Sequence, residues 1–189
     1  LVVLLLLQNT LGIVVSSSIT NVGSADLQES RPADVGRSTK GRRKILAISS
    51  RGGHWIQLLR LRPAFEGSDV VFVTTELEYQ SMVDGAKFRV ITEATRNEKL
   101  RMLKMLLQIV WIFLRERPTA VVTTGAAPGY FAVRLGKLLG AKTLWIDSIA
   151  NAEELSLSGR LASKHADVTL TQWSHLAAPG VVRHCGAVI

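Results

Sequence analysis

Hydrophobic and polar positions along most of this chain switch repeatedly between a strand-like and a helix-like period. Lys44 to Ser49 (KILAIS) is a short, aliphatic, β-rich run that reads as a buried parallel strand. Ser50-Arg51-Gly52-Gly53 reads as a turn, and His54 to Glu66 sets Ile56, Leu59 and Pro63 at helical spacing, with Leu58, Leu61 and Phe65 filling in. The spacing then predicts a strand over Asp69–Thr74, a helical turn over Glu76–Val83, a strand over Phe88–Thr92 and a long helix over Glu98–Arg117, stopped by Pro118. Thr119–Thr123 is a further strand, and Thr124-Gly125-Ala126-Ala127-Pro128-Gly129 a loop with Pro placed to open a helix. Tyr130–Leu139 follows as that helix, closed by Gly140, then strand Lys142–Asp147, helix Ser158–Ala166 and strand Asp167–Thr171. No internal repeat is visible. Such alternation predicts an α/β fold with a doubly wound parallel sheet, Rossmann-like, over residues 44–189.

The chain before Lys44 follows another pattern. Residues 1–25 carry no charged side chain and are long enough to span a bilayer, though Gln8, Asn9, Thr10 and Ser16-Ser17-Ser18 dilute them. The basic n-region of a signal peptide is missing. Two readings stand: a membrane anchor, or translated upstream sequence with no structural role, the chain opening on Leu1 rather than Met. Residues 26–43 are polar and basic with little periodicity and read as a linker. If the first segment spans, the basic stretch 31–44 belongs on the cytoplasmic side.

Composition sharpens this picture in one respect, charge. Lys and Arg number 23 against 15 Asp and Glu, a net charge of +8. The excess is concentrated: Arg31 to Arg62 holds nine basic residues and one acid. A second basic group, Arg96, Lys99, Arg101 and Lys104, precedes the apolar run Met105–Leu114, and Arg115 and Arg117 follow it. A basic balance points to phosphate, as nucleic acid, an anionic membrane or a phosphorylated substrate. Aromatics make up only 6% and do not interleave with the cations, which speaks against nucleic acid. The lone Cys185 excludes a disulfide framework, and His54, His165, His175 and His184 lack metal-site spacing, so no metal and no cofactor is expected.

In an open parallel sheet, ligands gather outside the carboxyl ends of the strands, so the chemistry is sought in those loops. Three stand out. In Ser49-Ser50-Arg51-Gly52-Gly53-His54, two glycines let the backbone approach a ligand, and the helix behind them offers free N–H groups to phosphate. The loop carries neither a dinucleotide fingerprint nor a Walker sequence, and a tight turn chosen for packing is its other reading. Thr124-Gly125-Ala126, through to Gly129, repeats the design with hydroxyls and small residues. Asp147-Ser148 ends the KTLWID strand at the same edge, and Asp147 reads either as a loop organiser or as a functional acid. His54 is the one candidate for proton transfer, with an imidazole able to accept a proton near neutrality. It reads equally as a phosphate ligand. Trp55, Trp111, Trp145 and Trp173 read as core or interface residues, and Glu76, Glu78, Glu153 and Glu154 as solvated.

The string KILAISSRGGHWIQLLRLRPAF, followed by TTGAAPGYFAVRLGKLLGAKTLWIDSIANAEELSLSGRLASKHADVTLTQW, resembles the bacterial exopolysaccharide glycosyltransferase family. That family is related to the membrane-anchoring subunit of the split UDP-GlcNAc transferase of dolichol-linked N-glycan synthesis. A more distant likeness is to the N-terminal half of the enzymes that add GlcNAc to lipid I. The resemblance covers residues 44–189 and implies the N-terminal, acceptor-binding half of a GT-B glycosyltransferase. It implies a donor-binding glycosyltransferase subunit as partner, which holds most of the UDP-sugar (UDP-N-acetylglucosamine or UDP-glucuronate), and a polyprenyl-diphosphate-linked glycan as acceptor. Ser50, Arg51, Gly52, Gly53, Thr124, Gly125, Ala126, Gly129, Asp147 and Ser148 are then the acceptor and phosphate contacts. Arg51 departs from the small residue of the family pattern, residues 1–43 match nothing bacterial, and no second α/β unit follows Ile189. The rival from another class is a non-catalytic scaffold that recruits a catalytic partner to the membrane.

Met105–Leu114 (MLLQIVWIFL) has one polar member in ten residues and is too short to span a bilayer. With basic residues at both ends it reads as a helix lying on an anionic leaflet, Lys104, Trp111 and Arg115 making contact. Its other reading is a core helix with solvated ends. The membrane reading places the protein on the cytoplasmic face, peripheral or held by the N-terminal segment.

Overall fold

The computed structural model describes residues 42–188, apart from Asp84 and Arg96. The uncharged segment 1–25, most of the linker 26–43 and the cation Arg96 therefore lie outside the described residues.

Seven strands form one sheet: β1 (Lys44–Ile48), β2 (Asp69–Thr74), β3 (Lys87–Val90), β4 (Ala120–Thr123), β5 (Lys142–Ile146), β6 (Val168–Thr171) and β7 (Arg183–His184). Their order is β3-β2-β1-β4-β5-β6-β7, and every pair is parallel. The order reverses between β1 and β4, which opens a crevice at their carboxyl ends. Central strands are buried on both faces, so they read as unbroken apolar runs: Ile45 and Ala47 enter one core, Leu46 and Ile48 the other.

Helix α1 (Gly53–Arg60) covers the first face, together with short 3-10 segments at Arg62–Phe65 and Leu77–Val83. The segment ending at Val188 packs into the same core. Helices α2 (Lys99–Glu116) and α3 (Ala126–Leu138) cover the other face, and α4 (Leu157–Ala162) packs beside α3 over Trp145.

Local chemistry explains where the elements stop. Arg117 takes the left-handed conformation at φ 47°, its N–H closing on the Phe113 carbonyl at 2.9 Å, and Pro118 prevents continuation. Ser156 Oγ accepts the Gly159 N–H at 2.8 Å and so caps α4. Four sequence expectations shift. The helix expected over His54–Glu66 breaks at Leu61 into an α turn and a 3-10 turn, because Pro63 has no N–H to donate. Helix α3 begins at Ala126, four residues before Tyr130, so Pro128 sits inside its first turn, where a missing N–H is harmless. Helix α4 ends at Ala162 rather than Ala166, and the short β7 was not anticipated.

At the amino edge of the sheet the charges pair off. Glu116, 5% exposed, receives Arg89 Nη2 at 3.1 Å, Lys87 Nζ at 3.5 Å and Lys44 Nζ at 3.7 Å. Asp69 shares Lys87 at 3.5 Å and Lys44 at 3.9 Å. Asp167 stands at the same edge, taking the Thr143 N–H at 2.8 Å and an ion pair from Lys137.

Candidate functional site

The two glycine loops predicted from the sequence follow β1 and β4, the strands on either side of the reversal point. The fold brings them into direct contact. His54 Nδ1 lies 2.8 Å from the Thr124 carbonyl oxygen, and Thr124 Oγ1 donates to the His54 carbonyl at 2.6 Å. A carbonyl can only accept, so Nδ1 carries the hydrogen and Nε2 of the neutral ring keeps its lone pair. His54 is half-buried. The clasp thus orients one basic nitrogen at the mouth of the crevice.

Glycine is required on the far side of that clasp. Gly125 has φ 130°, and a Cβ there would stand 2.8 Å from Nδ1 and Cε1 of the His54 ring. Ala126, next to it, has φ 63°, a strained value for a residue with a side chain. Thr123, fully buried, accepts the Gly125 N–H on Oγ1 at 3.2 Å. Neither α1 nor α3 carries a side-chain cap at its N-terminus, the capping positions being Gly52 and Gly125. Two uncapped helix starts, each with its positive dipole end, therefore flank His54.

The remaining expected contacts divide. Ser50 is half-buried in the first loop, and Gly53 begins α1. The Gly52 N–H donates to Tyr79 Oη at 3.2 Å. Arg51 reaches sideways: Nη1 meets Glu76 at 3.3 Å and Nε meets Glu93 at 3.1 Å, so both carboxylates compete with any phosphate for it. Glu76, expected to be solvated, is half-buried in that pair. Gly129 is a packing position, since a Cβ there would run into Thr123 Oγ1. Asp147 is 2% exposed and accepts from Ser156 Oγ at 2.6 Å, Ser156 N at 2.8 Å and Trp145 Nε1 at 3.1 Å. Its carboxylate is committed to the loop after β5, so of its two readings the loop organiser describes what it does here. Ser148, also buried, accepts from Gln57 Nε2 at 3.3 Å.

Four residues near the site escaped the sequence reading: Tyr79, Glu93, Gln57 and Gln172. Gln57 had a legible signal, because it follows His54 by three residues and shares its helix face. The other three come from distant segments and left none. Among the described residues no group of His, Cys, Asp and Glu is placed to hold a metal ion.

The run Met105–Leu114 divides between two faces. Met105, Ile109, Ile112 and Phe113 are buried, while Leu100, Leu103, Leu107, Trp111 and Leu114 form an exposed stripe, Leu100 at 84%. Lys104 and Arg115 are exposed, and the Arg115 guanidinium lies 5.6 Å from the centre of the Trp111 ring. Leu138, 81% exposed, and Leu139 lie at the end of neighbouring α3. No described helix is long and apolar enough to cross a membrane. Trp55 and Trp145 are fully buried core residues, as expected of them.

Residues 52–186 match the family described as oligosaccharide biosynthesis protein Alg14 like, from the first glycine of the β1 loop to beyond β7. The chain belongs to that family. No curated protein sequence matches the chain. Among solved structures, MurG of Acinetobacter baumannii is similar over 75% of this chain and 45% of its own, with a TM-score of 0.63 and 15% identity. The UDP-N-acetylglucosamine 2-epimerase of Rickettsia bellii matches over 78% of this chain and 45% of its own, at TM-score 0.59 and 14% identity. A glycosyltransferase of Rickettsia africae matches over 77% and 43%, at TM-score 0.55 and 10% identity. The chain thus spans less than half the length of each. The likeness is one of fold, a Rossmann-like fold that resembles the N-terminal half of a GT-B glycosyltransferase.

Proposed function

We propose that this chain is the acceptor-binding, membrane-associated subunit of a two-component UDP-sugar glycosyltransferase acting on a polyprenyl-diphosphate-linked glycan. The observation that carries the reading is the clasp between His54 and Thr124, which sets an oriented imidazole between two uncapped helix starts at the reversal point of the sheet. The Alg14-like family membership and the similarity in fold to MurG support it.

The chemistry follows from the geometry. The diphosphate of the acceptor sits against the N–H groups at the starts of α1 and α3, whose dipoles favour negative charge. His54 Nε2 takes the proton from the acceptor sugar hydroxyl as its oxygen bonds to the anomeric carbon of the donor. The bond from that carbon to the UDP oxygen breaks, and UDP leaves with the electron pair. The UDP-sugar, as UDP-N-acetylglucosamine or UDP-glucuronate, is held mainly by the partner subunit. Arg51 leaves Glu76 and Glu93 only if the ligand's charge outcompetes them.

The exposed stripe of α2 serves the membrane in this reading. Leu100, Leu103, Leu107, Trp111 and Leu114 enter the headgroup boundary of the cytoplasmic leaflet, and Lys99, Lys104 and Arg115 meet anionic lipid. The test is transfer by the full chain with and without its donor-binding partner. The chain alone transfers nothing; with the partner, His54→Ala lowers turnover about 10²-fold. Unchanged turnover in that variant would favour the scaffold reading instead.

A further inference from the structure

Helix α1 is only eight residues long, too short to hold its own conformation in water, and it has no side-chain cap. Its setting therefore comes from what its side chains grip. At about 100° per residue, Trp55 and Gln57 fall on opposite flanks of the buried arc, with His54 and Leu58 between them. Trp55 grips one side: it stacks on Tyr79 at 5.4 Å and meets Phe72 and Phe88 edge-on, both at 6.0 Å. Gln57 grips the other side through hydrogen bonds.

Those bonds form a one-way relay. Val188 N donates to Gln172 Oε1 at 2.7 Å; Gln172 Nε2 donates to Gln57 Oε1 at 2.7 Å and to the Asp147 carbonyl at 2.9 Å; Gln57 Nε2 donates to Ser148 Oγ at 3.3 Å. Its direction is forced. A backbone N–H can only donate, so Gln172 turns its oxygen to Val188, and its amide nitrogen then faces two oxygens. Gln57, Gln172 and Ser148 are all buried, where an unmet polar group is costly and a met one specifies a single arrangement. Arg60, at the end of α1, also donates to the Val188 carbonyl at 3.4 Å.

We propose that Gln57 and Gln172 are a positioning couple for His54: they fix the rotation of α1, and the seated Cys185–Val188 segment holds the couple closed. This deepens the reading of His54 as the proton acceptor and rests on it for its catalytic meaning, though not for its test. The test is ¹⁵N spectroscopy of the imidazoles in the full chain, the His54 signals being those absent from His54→Ala. Wild type shows one tautomer, with hydrogen on Nδ1. Gln57→Leu and Gln172→Leu give a tautomer mixture, and the Ile56 amide, bonded in wild type to the Gly52 carbonyl, exchanges about tenfold faster. Ile109→Val, which softens the opposite core, leaves the His54 signals unchanged. Should Gln172→Leu fail to fold, Val188→Pro removes the first donor of the relay while keeping an apolar side chain at that core position, and gives the same mixture in smaller proportion. A wild-type His54 spectrum in the folded glutamine variants overturns the proposal, and so does equal scrambling by Ile109→Val. Absence of sugar transfer by wild type with its partner would count against the glycosyltransferase reading alone, since the tautomer result does not depend on it.

Discussion

The two edges of the sheet handle polar groups in opposite ways. At the amino edge, Lys44, Lys87 and Arg89 converge on buried Glu116, Asp69 shares the two lysines, and Asp167 pairs with Lys137. At the carboxyl edge, beside the crevice, Arg51 is neutralised in this manner. There the groups nearest the crevice are backbone N–H groups at two helix starts and one imidazole, held by hydrogen bonds between loops rather than by opposite charge. An edge whose charges are spent internally supports the fold. An edge built of oriented dipoles keeps its capacity for an anionic ligand.

The largest expected effect is at the amino edge. Glu116→Ala leaves three cations around an empty site and should cost about 3 kcal/mol of stability, the low end for a broken buried pair because the cations are partly exposed. Denaturant unfolding checks it, and the folded variant should keep wild-type His54 signals.

Gly125→Ala acts at the other edge. The added Cβ meets the His54 ring on a backbone that resists a side chain, so overpacking of about 1–3 kcal/mol is expected. Here the loss should come with displacement of His54, read in its imidazole signals. A stability loss with unperturbed His54 would separate the glycine from the clasp.

How far these edges were legible in the sequence differs for a physical reason. Strands buried on both faces write themselves as apolar runs, so Asp69–Thr74 agrees residue for residue. Glycine loops after β1 and β4 were visible because turns need special residues. The start of α3 was not, since Gly125-Ala126-Ala127-Pro128-Gly129 reads as a loop although its residues already hold helical bonds. Arg51 and Asp147 were readable as polar residues at the right edge, but their partners Glu93 and Ser156 lie in other segments. Sequence spacing shows which residues share an element, and ion pairs across loops lie beyond it. The double stripe of α2 was half legible: the apolar run was plain, its division between core and surface was not.

A smaller effect is expected where α2 links the two edges. Lys104→Glu with Arg115→Glu should weaken binding of the full chain to anionic vesicles, each cation contributing on the order of 1 kcal/mol near such a surface. Raising salt should lower wild-type binding, as the Debye length falls from about 10 Å at 0.1 M. Leu107→Ser with Trp111→Ser should weaken the part that salt leaves, without lowering stability, because both side chains are exposed. Binding indifferent to all four changes would make the stripe an ordinary surface.

The smallest effect is a pH dependence at Asp167. Burial pushes its carboxyl up, but the Lys137 ammonium and the Thr143 amide and hydroxyl outweigh this and hold it below the usual carboxylate value. A carboxyl depressed in the folded state adds stability above its unfolded pKa and loses it as pH falls through the folded one. Asp167→Asn should therefore lower the melting temperature at neutral pH and converge with wild type in strong acid.

The central claim is that the carboxyl edge between β1 and β4 receives a diphosphate, and it can be tested without the partner subunit. Farnesyl diphosphate titrated into the ¹⁵N-labelled full chain should shift the amides of Gly53, His54, Gly125 and Ala126 together and saturably, and inorganic diphosphate should shift the same four amides. Shifts confined to Leu100–Leu114, or none at the two loops, would contradict the account.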